Sequence, residues 1–157
     1  MKAAADSDKR IAEDDLRPLE GLPIVIKVNI EVEGTITSAS TKSLKDWRSK
    51  LDASVVAKLK KAGAIVIAKT NMPLLAFAIH GYSALYGMCR NPHDLNRSPG
   101  GSSSGTASAI AAGITSAGLG SDTAGSCRLP AEACGVAGFR PSLGRYPKDG
   151  VIPLFPS

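Results

Sequence analysis

The 157 residues are 43% hydrophobic and 21% charged, a length and balance suited to a single soluble domain over residues 1–157 with its own core. Nineteen Lys and Arg against 14 Asp and Glu give a formal net charge of +5, but acids lie between the basic residues along the chain, which argues against direct binding of nucleic acid. Cys89, Cys127 and Cys134 form neither a C-x-x-C pair nor a zinc spacing, and their odd number argues against a disulfide framework, so a reducing setting with no metal or cofactor is expected.

The N-terminal stretch MKAAADSDKRIAEDD carries acids where a signal peptide needs an apolar core, and no apolar run is long enough to span a bilayer; a cytoplasmic protein without a membrane partner is expected. Residues 1–18 read as the end of a charged helix stopped near Pro18, because proline lacks the backbone donor a helix needs. Gly21-Leu22-Pro23 then turns the chain into Ile24-Val25-Ile26-Lys27-Val28, a β-branched run of the kind that forms a buried strand, which puts Lys27 on or just beyond that strand.

The basic residues Lys42, Lys45, Arg48, Lys50, Lys58, Lys60 and Lys61 read as the solvated face of helical segments. Residues 52–62, DASVVAKLKKA, set Val55, Val56, Leu59 and Ala62 on one helical face, with Asp52 as N-cap and Gly63 just past the end. Ala64-Ile65-Val66-Ile67-Ala68 follows as a second buried strand. A helix delivered straight into an apolar strand is the unit of a mainly parallel sheet, so the fold class is α/β. Aromatic residues are only 4% of the chain, and the core is expected to be built from small and aliphatic side chains.

Residues 91–101, NPHDLNRSPGG, are rich in turn formers and predict an ordered loop, followed by a closely packed helix from Ser102 to Gly113. Glycine and small polar residues return from Gly118 to Arg128, and Pro130, Pro141 and Pro147 are expected to keep the remainder irregular. The run Gly100-Gly101-Ser102-Ser103-Ser104-Gly105 lies between structured apolar segments, unlike a linker. It also lacks the G-K-[ST] ending of a phosphate-binding loop. Gly101-x-Ser103-x-Gly105 satisfies the G-x-S-x-G elbow of the α/β-hydrolases, but that fold places its histidine after the serine. Here His80 and His93 both precede Ser103, so they read as packing or loop residues.

A second serine site is Gly120-Ser121-Asp122-Thr123-Ala124-Gly125-Ser126-Cys127-Arg128, whose small residues leave backbone N–H groups open before a serine, as an oxyanion hole requires. Taken alone it reads as a tight surface turn, Lys27 as a lysine at a strand end and Ser102 as a helix cap.

Together these segments resemble the amidase-signature family. PGGSSSGTASAIAAG followed by GLGSDTAGSCRLPAEACGVAGFRPSLGRYP carries the likeness, and it extends upstream through GLPIVIKVNI and DASVVAKLKKAGAIVIAKTNM, in the family's order. The resemblance implies a mixed, largely parallel sheet flanked by helices. It places the family's base lysine on Lys27, its bridging serine on Ser102 and its nucleophile on Ser126, with the N–H groups of Thr123, Ala124, Gly125 and Ser126 as the oxyanion hole. The cis peptide bond that enters the family's bridging serine falls on Gly101–Ser102. Asp122 and Arg128 are expected to pair within the loop.

The implied chemistry is amide hydrolysis through an acyl-enzyme. A serine hydroxyl is a poor nucleophile until a base takes its proton. A lysine can be that base only when neutral, and burial in the apolar run around Lys27 favours the neutral amine. The substrate implied is a small-molecule amide, with a lean toward the arylacetamide type, such as indoleacetamide and mandelamide hydrolases, from Gly138 to Pro147 together with Cys127-Arg128. The alternatives are a glutaminase of the kind found in transfer-RNA amidotransferases, which works with partner subunits, and an inactive binding remnant. Val28 stands where the family often has Asp, and Ala124 where it often has Gly. The family fold normally occupies a much longer chain, so uncovered sheet edges and self-association are also expected.

Overall fold

The computed structural model describes residues 2–154; Met1 and residues 155–157 of the expected domain lie outside the described residues. The chain runs α1 (Lys2–Ala12), β1 (Pro23–Lys27), α2 (Ser54–Lys61), β2 (Ile65–Thr70), β3 (Tyr82–Ser83), β4 (Gly87–Met88), α3 (Ser104–Ala111), β5 (Ala117–Leu119) and α4 (Arg128–Ala133).

β1 lies at the centre of a three-stranded sheet of order β2-β1-β5, and both of its pairings are parallel. Its alternating side chains divide the molecule into layers. Ile24 and Ile26 enter a core with Ile30, Val32, Ala53 and Val56 of α2. Val25 faces the opposite side, where a Cβ on Gly118 of β5 would meet Val25 and Thr106 of α3 at 2.8 Å each. Helices therefore cover both faces of a parallel sheet, and the fold class is α/β. The antiparallel β3–β4 hairpin forms a separate two-stranded sheet.

Four sequence expectations change in detail. α1 ends at Ala12, before Pro18 is reached. Asp14 adopts a positive φ of 57°, and the N–H groups of Asp15 and Asp14 return to the carbonyls of Arg10 and Ile11 at 2.9 and 3.3 Å, a Schellman-type close. α2 begins at Ser54, and Asp52 does not cap it. Asp52 instead accepts from the Glu33 N–H at 2.8 Å and pairs with Lys60 Nζ at 2.7 Å, while Asp149 Oδ2 accepts the Ser54 N–H at 3.2 Å and also the Ser54 hydroxyl.

β2 is less buried than its composition predicts. It is an edge strand with a bulge, since Ile24 pairs with Val66 and Val25 with Ala68, leaving Ile67 unmatched and 46% exposed. Finally, α4 forms despite Pro130. The proline is the third residue of the helix, where backbone N–H groups have no intrahelical acceptor and its missing donor costs nothing.

Candidate active site

Lys27 closes the central strand and is 0% exposed. Burial lowers its pKa from the ordinary 10.5 to about 7, a shift that charge at Cys127 and Asp122 opposes only in part. Its Nζ has three partners: Ser102 Oγ at 2.7 Å, Ser121 Oγ at 2.9 Å and the Ser121 carbonyl at 3.3 Å.

Ser102, also 0% exposed, stands just ahead of α3 behind a cis Gly101–Ser102 peptide. A Cβ on Gly101 would lie 2.8 Å from the His80 carbonyl oxygen, so the neighbouring backbone leaves room only for glycine. α3 starts at Ser104, two residues later than the composition predicts. Ser103 occupies the N-cap position without a side-chain capping bond, and its hydroxyl meets the Ser121 backbone N–H at 3.3 Å.

Ser126 is buried at the end of the 120–127 loop, and its carbonyl accepts the Ser103 N–H at 3.0 Å, which ties the loop to the start of α3. Lys27 and Ser102 touch directly. No hydrogen bond joins the Ser102 and Ser126 hydroxyls among the described residues.

Asp122 organises this loop. Its carboxylate accepts the Gly125 N–H at 2.7 Å, the Cys127 N–H at 3.1 Å and two bonds from the Arg128 guanidinium at 3.0 and 3.2 Å. Burial alone would favour the protonated acid, but Arg128 and the two N–H groups overcome it and hold the carboxyl well below the usual carboxylate range. The Gly125 N–H is thus directed to Asp122, which differs from its expected place among the oxyanion donors. Thr123 and Ala124 are exposed and Ser126 ends the turn beside them.

Two residues close to the lysine carry no role in the sequence reading. Ser121 supplies two of the three Lys27 contacts, and Asn29, 1% exposed, donates from Nδ2 to Ser121 Oγ at 3.1 Å and to the Ile152 carbonyl at 3.0 Å. Only closeness in sequence hints at either, Ser121 standing next to Asp122 and Asn29 two residues after Lys27. His80 and His93 are exposed, bonded to the Tyr82 N–H and the Cys134 carbonyl. Among the described residues no group of three or more His, Cys, Asp or Glu side chains is placed to hold a metal ion, and no helix is long and apolar enough to cross a membrane.

Chemically, the arrangement offers a buried amine of near-neutral pKa in contact with the Ser102 and Ser121 hydroxyls, and the loop that carries Ser121 also carries Ser126. The model of the family described as Amidase matches residues 1–157. The glutamyl-tRNA(Gln) amidotransferase A-type subunit of Geobacter metallireducens is 44% identical over 152 residues, which are 97% of this chain and 31% of that protein. The crystal structure of native peptide amidase from Stenotrophomonas maltophilia superposes with a TM-score of 0.92 at 40% identity, covering 97% of this chain and 32% of that one. The crystal structure of the glutamyl-tRNA(Gln) amidotransferase A-type subunit from Thermotoga maritima gives 0.81 at 43% identity over 85% of this chain and 29% of its own. The chain spans about a third of the length of these relatives.

Proposed function

The chain belongs to the amidase-signature family, and on that premise we propose that it carries the catalytic segment of a serine amidase that cleaves a carboxamide through an acyl-enzyme on Ser126. The observation that carries this reading is the 2.7 Å contact between the buried Lys27 Nζ and Ser102 Oγ. A lysine with a pKa near 7 is half neutral at neutral pH and able to accept a proton.

In the proposed reaction Ser126 Oγ attacks the amide carbon while its proton passes to Ser102 and that of Ser102 to Lys27. The N–H groups of Thr123, Ala124 and Ser126 face the developing oxyanion. The relay returns a proton to the nitrogen as the C–N bond breaks, and ammonia or an amine leaves. Water then attacks the acyl-enzyme, releases the acid and restores Ser126. Gly125 joins the oxyanion donors only if its N–H leaves Asp122.

The substrate proposed is a small-molecule amide of arylacetamide type. A second reading, a glutaminase working within a multi-subunit amidotransferase, is favoured by the 44% identity to a protein of that name; in that assembly nucleic acid is not expected to touch this segment. Exposed Phe77, Phe139 and Leu143 support self-association of the isolated chain, and three free cysteines fit a cytoplasmic setting. Labelling with a fluorophosphonate separates an enzyme from an inactive remnant. Modification at Ser126 that requires Lys27 supports the reading, and an unlabelled Ser126 ends it.

A further inference from the structure

A cleft of about 450 Å3 opens where β1 and β2 finish, lined by Val28 just after one strand and by Thr70 at the end of the other. Open parallel sheets take ligands at the carboxyl ends of their strands, and the volume suits a small organic molecule. This is not the Lys27 site. Lys69, which lines the cleft, pairs in register with Ile26 and so lies on the α2 face of the sheet, whereas Lys27 reaches Ser102 on the α3 face. None of Ser102, Ser121 and Ser126 lines it.

The lining has one sign of charge. Val28, Ile36 and the Tyr86 ring form apolar walls, with the Tyr86 hydroxyl already bonded to Ser38 Oγ at 2.7 Å. The charged residues are Lys69 and Arg48, and no Asp or Glu among the described residues joins them. An ammonium has three N–H donors. Lys69 uses two, on the Ile30 carbonyl and on Thr37 Oγ1 at 3.1 Å. Neither Lys69 nor Arg48 makes an ion pair among the described residues.

Burial lowers the Lys69 pKa from 10.5 to about 8, although Glu31 and Asp52 favour the charged form from a distance. Asp52 is itself engaged by Lys60 and the Glu33 N–H. Lys69 is therefore a half-buried cation with a donor to spare and no counter-ion, whereas buried charges are ordinarily paired. Arg48, exposed and bonded through Nη1 to the Gly34 carbonyl at 2.9 Å, adds a second positive group. We propose that this cleft binds a small carboxylate with an apolar body, the carboxylate meeting Lys69 and Arg48 and the body resting on Val28, Ile36 and Tyr86. None of this requires Ser126 to be a nucleophile.

The test uses the full chain with phenylacetate as the anion and 2-phenylethanol as its neutral counterpart, followed by calorimetry and by backbone amide resonances. Phenylacetate should shift Ile36, Thr70 and Asn71 along one isotherm, and the alcohol should bind about tenfold more weakly or worse, the scale of a hydrogen bond to a charged group. Saturation should raise the Lys69 midpoint, read by carbon-13 resonance in lysine-labelled protein. Lys69→Met should abolish binding. Arg48→Ala, on an exposed side chain, should weaken it about threefold without loss of the fold, and decides the matter if Lys69→Met does not fold.

No binding at millimolar phenylacetate, equal binding of the alcohol, or shifts confined to Ser102 and Ser126 overturn the proposal. So does an affinity unchanged by Arg48→Ala together with an unmoved Lys69 midpoint. Binding that weakens as protein concentration rises would place an acidic side chain of a second copy in the cleft, and would overturn the small-ligand assignment.

Discussion

Lys27 Nζ and Ser102 Oγ are 2.7 Å apart with neither residue exposed, so the amine meets a serine hydroxyl in a setting closed to bulk water. Phosphonylation of Ser126 by a fluorophosphonate, with loss of fluoride, is expected to rise with pH around 7, as the lysine loses its proton. Lys27→Ala should abolish the rise. Lys27→Arg should do no better, because the guanidinium stays protonated and cannot accept from Ser102. Labelling rates of the three proteins from mildly acidic to alkaline pH check this, and rescue by arginine would rule out the base.

The same lysine makes stability depend on pH with a definite sign. Its pKa is lowered by folding from 10.5 to about 7, so between those values the unfolded chain holds the proton that the native chain has lost. Native stability then rises with pH across that window, by up to about 1.4 kcal/mol per pH unit from this one group. Lys27→Met should flatten the rise in urea-unfolding free energy between pH 7 and 9, leaving the smaller contribution of Lys69, whose pKa burial lowers to about 8. Parallel curves for the two proteins would place the charge in solvent.

Ser126→Ala is expected to remove both labelling and amide hydrolysis, because it deletes the atom that bonds the acyl group. Ser102→Ala should keep the fold and lose about 100-fold or more in labelling rate, the usual scale of a proton-transfer step. Unchanged labelling in Ser102→Ala, read by mass spectrometry of the modified peptide, would move the relay elsewhere.

Asp122→Asn removes the charge that Arg128 and the Cys127 and Gly125 N–H groups converge on. A loss of about 1.5–3 kcal/mol is expected for a charged hydrogen-bonding group of this kind. Because Ser126 lies within the span these bonds close, labelling should fall even at temperatures where the variant is folded. Thermal melts and labelling rates together test it.

Gly120→Ala probes how closely the loop packs on α3. A Cβ there would lie 2.5 Å from Ser103 Oγ and 2.8 Å from Cys127 Sγ, and overpacking of this degree costs about 1–3 kcal/mol. A melting temperature equal to wild type would mean the loop moves freely.

Strand β1 was legible because a β-branched run bounded by Gly and Pro has few other ways to fold, and it delivered Lys27 to its buried end. The cis bond and the approach of Lys27 to Ser102 followed from the family likeness and not from any local pattern. The edge position of β2 was hidden, since an apolar run reports what could be buried and not whether a neighbour exists to bury Ile67. The helix at Arg128–Ala133 was masked by Pro130, whose effect depends on which turn it occupies. Ser121 and Asn29 were missed because their importance arises from contacts across the chain, and a serine or asparagine beside a motif looks like any other turn residue.

The cap on α2 carries a consequence for the order in which the molecule is made. Ser54 waits for Asp149, a residue 95 positions later, and Asn29 waits for Ile152, 123 positions later. Closing such distant contacts is entropically costly and slow compared with local pairing. During synthesis, β1 and the loop bearing Ser126 emerge before the segment that holds Asn29 and Ser54, so a nascent chain short of position 149 holds every proposed reacting group without the Asn29–Ile152 bond. The contacts of Asp149 with Ser54 and of Ile152 with Asn29 therefore close last, after every strand of the sheet, which ends at Leu119, has been made.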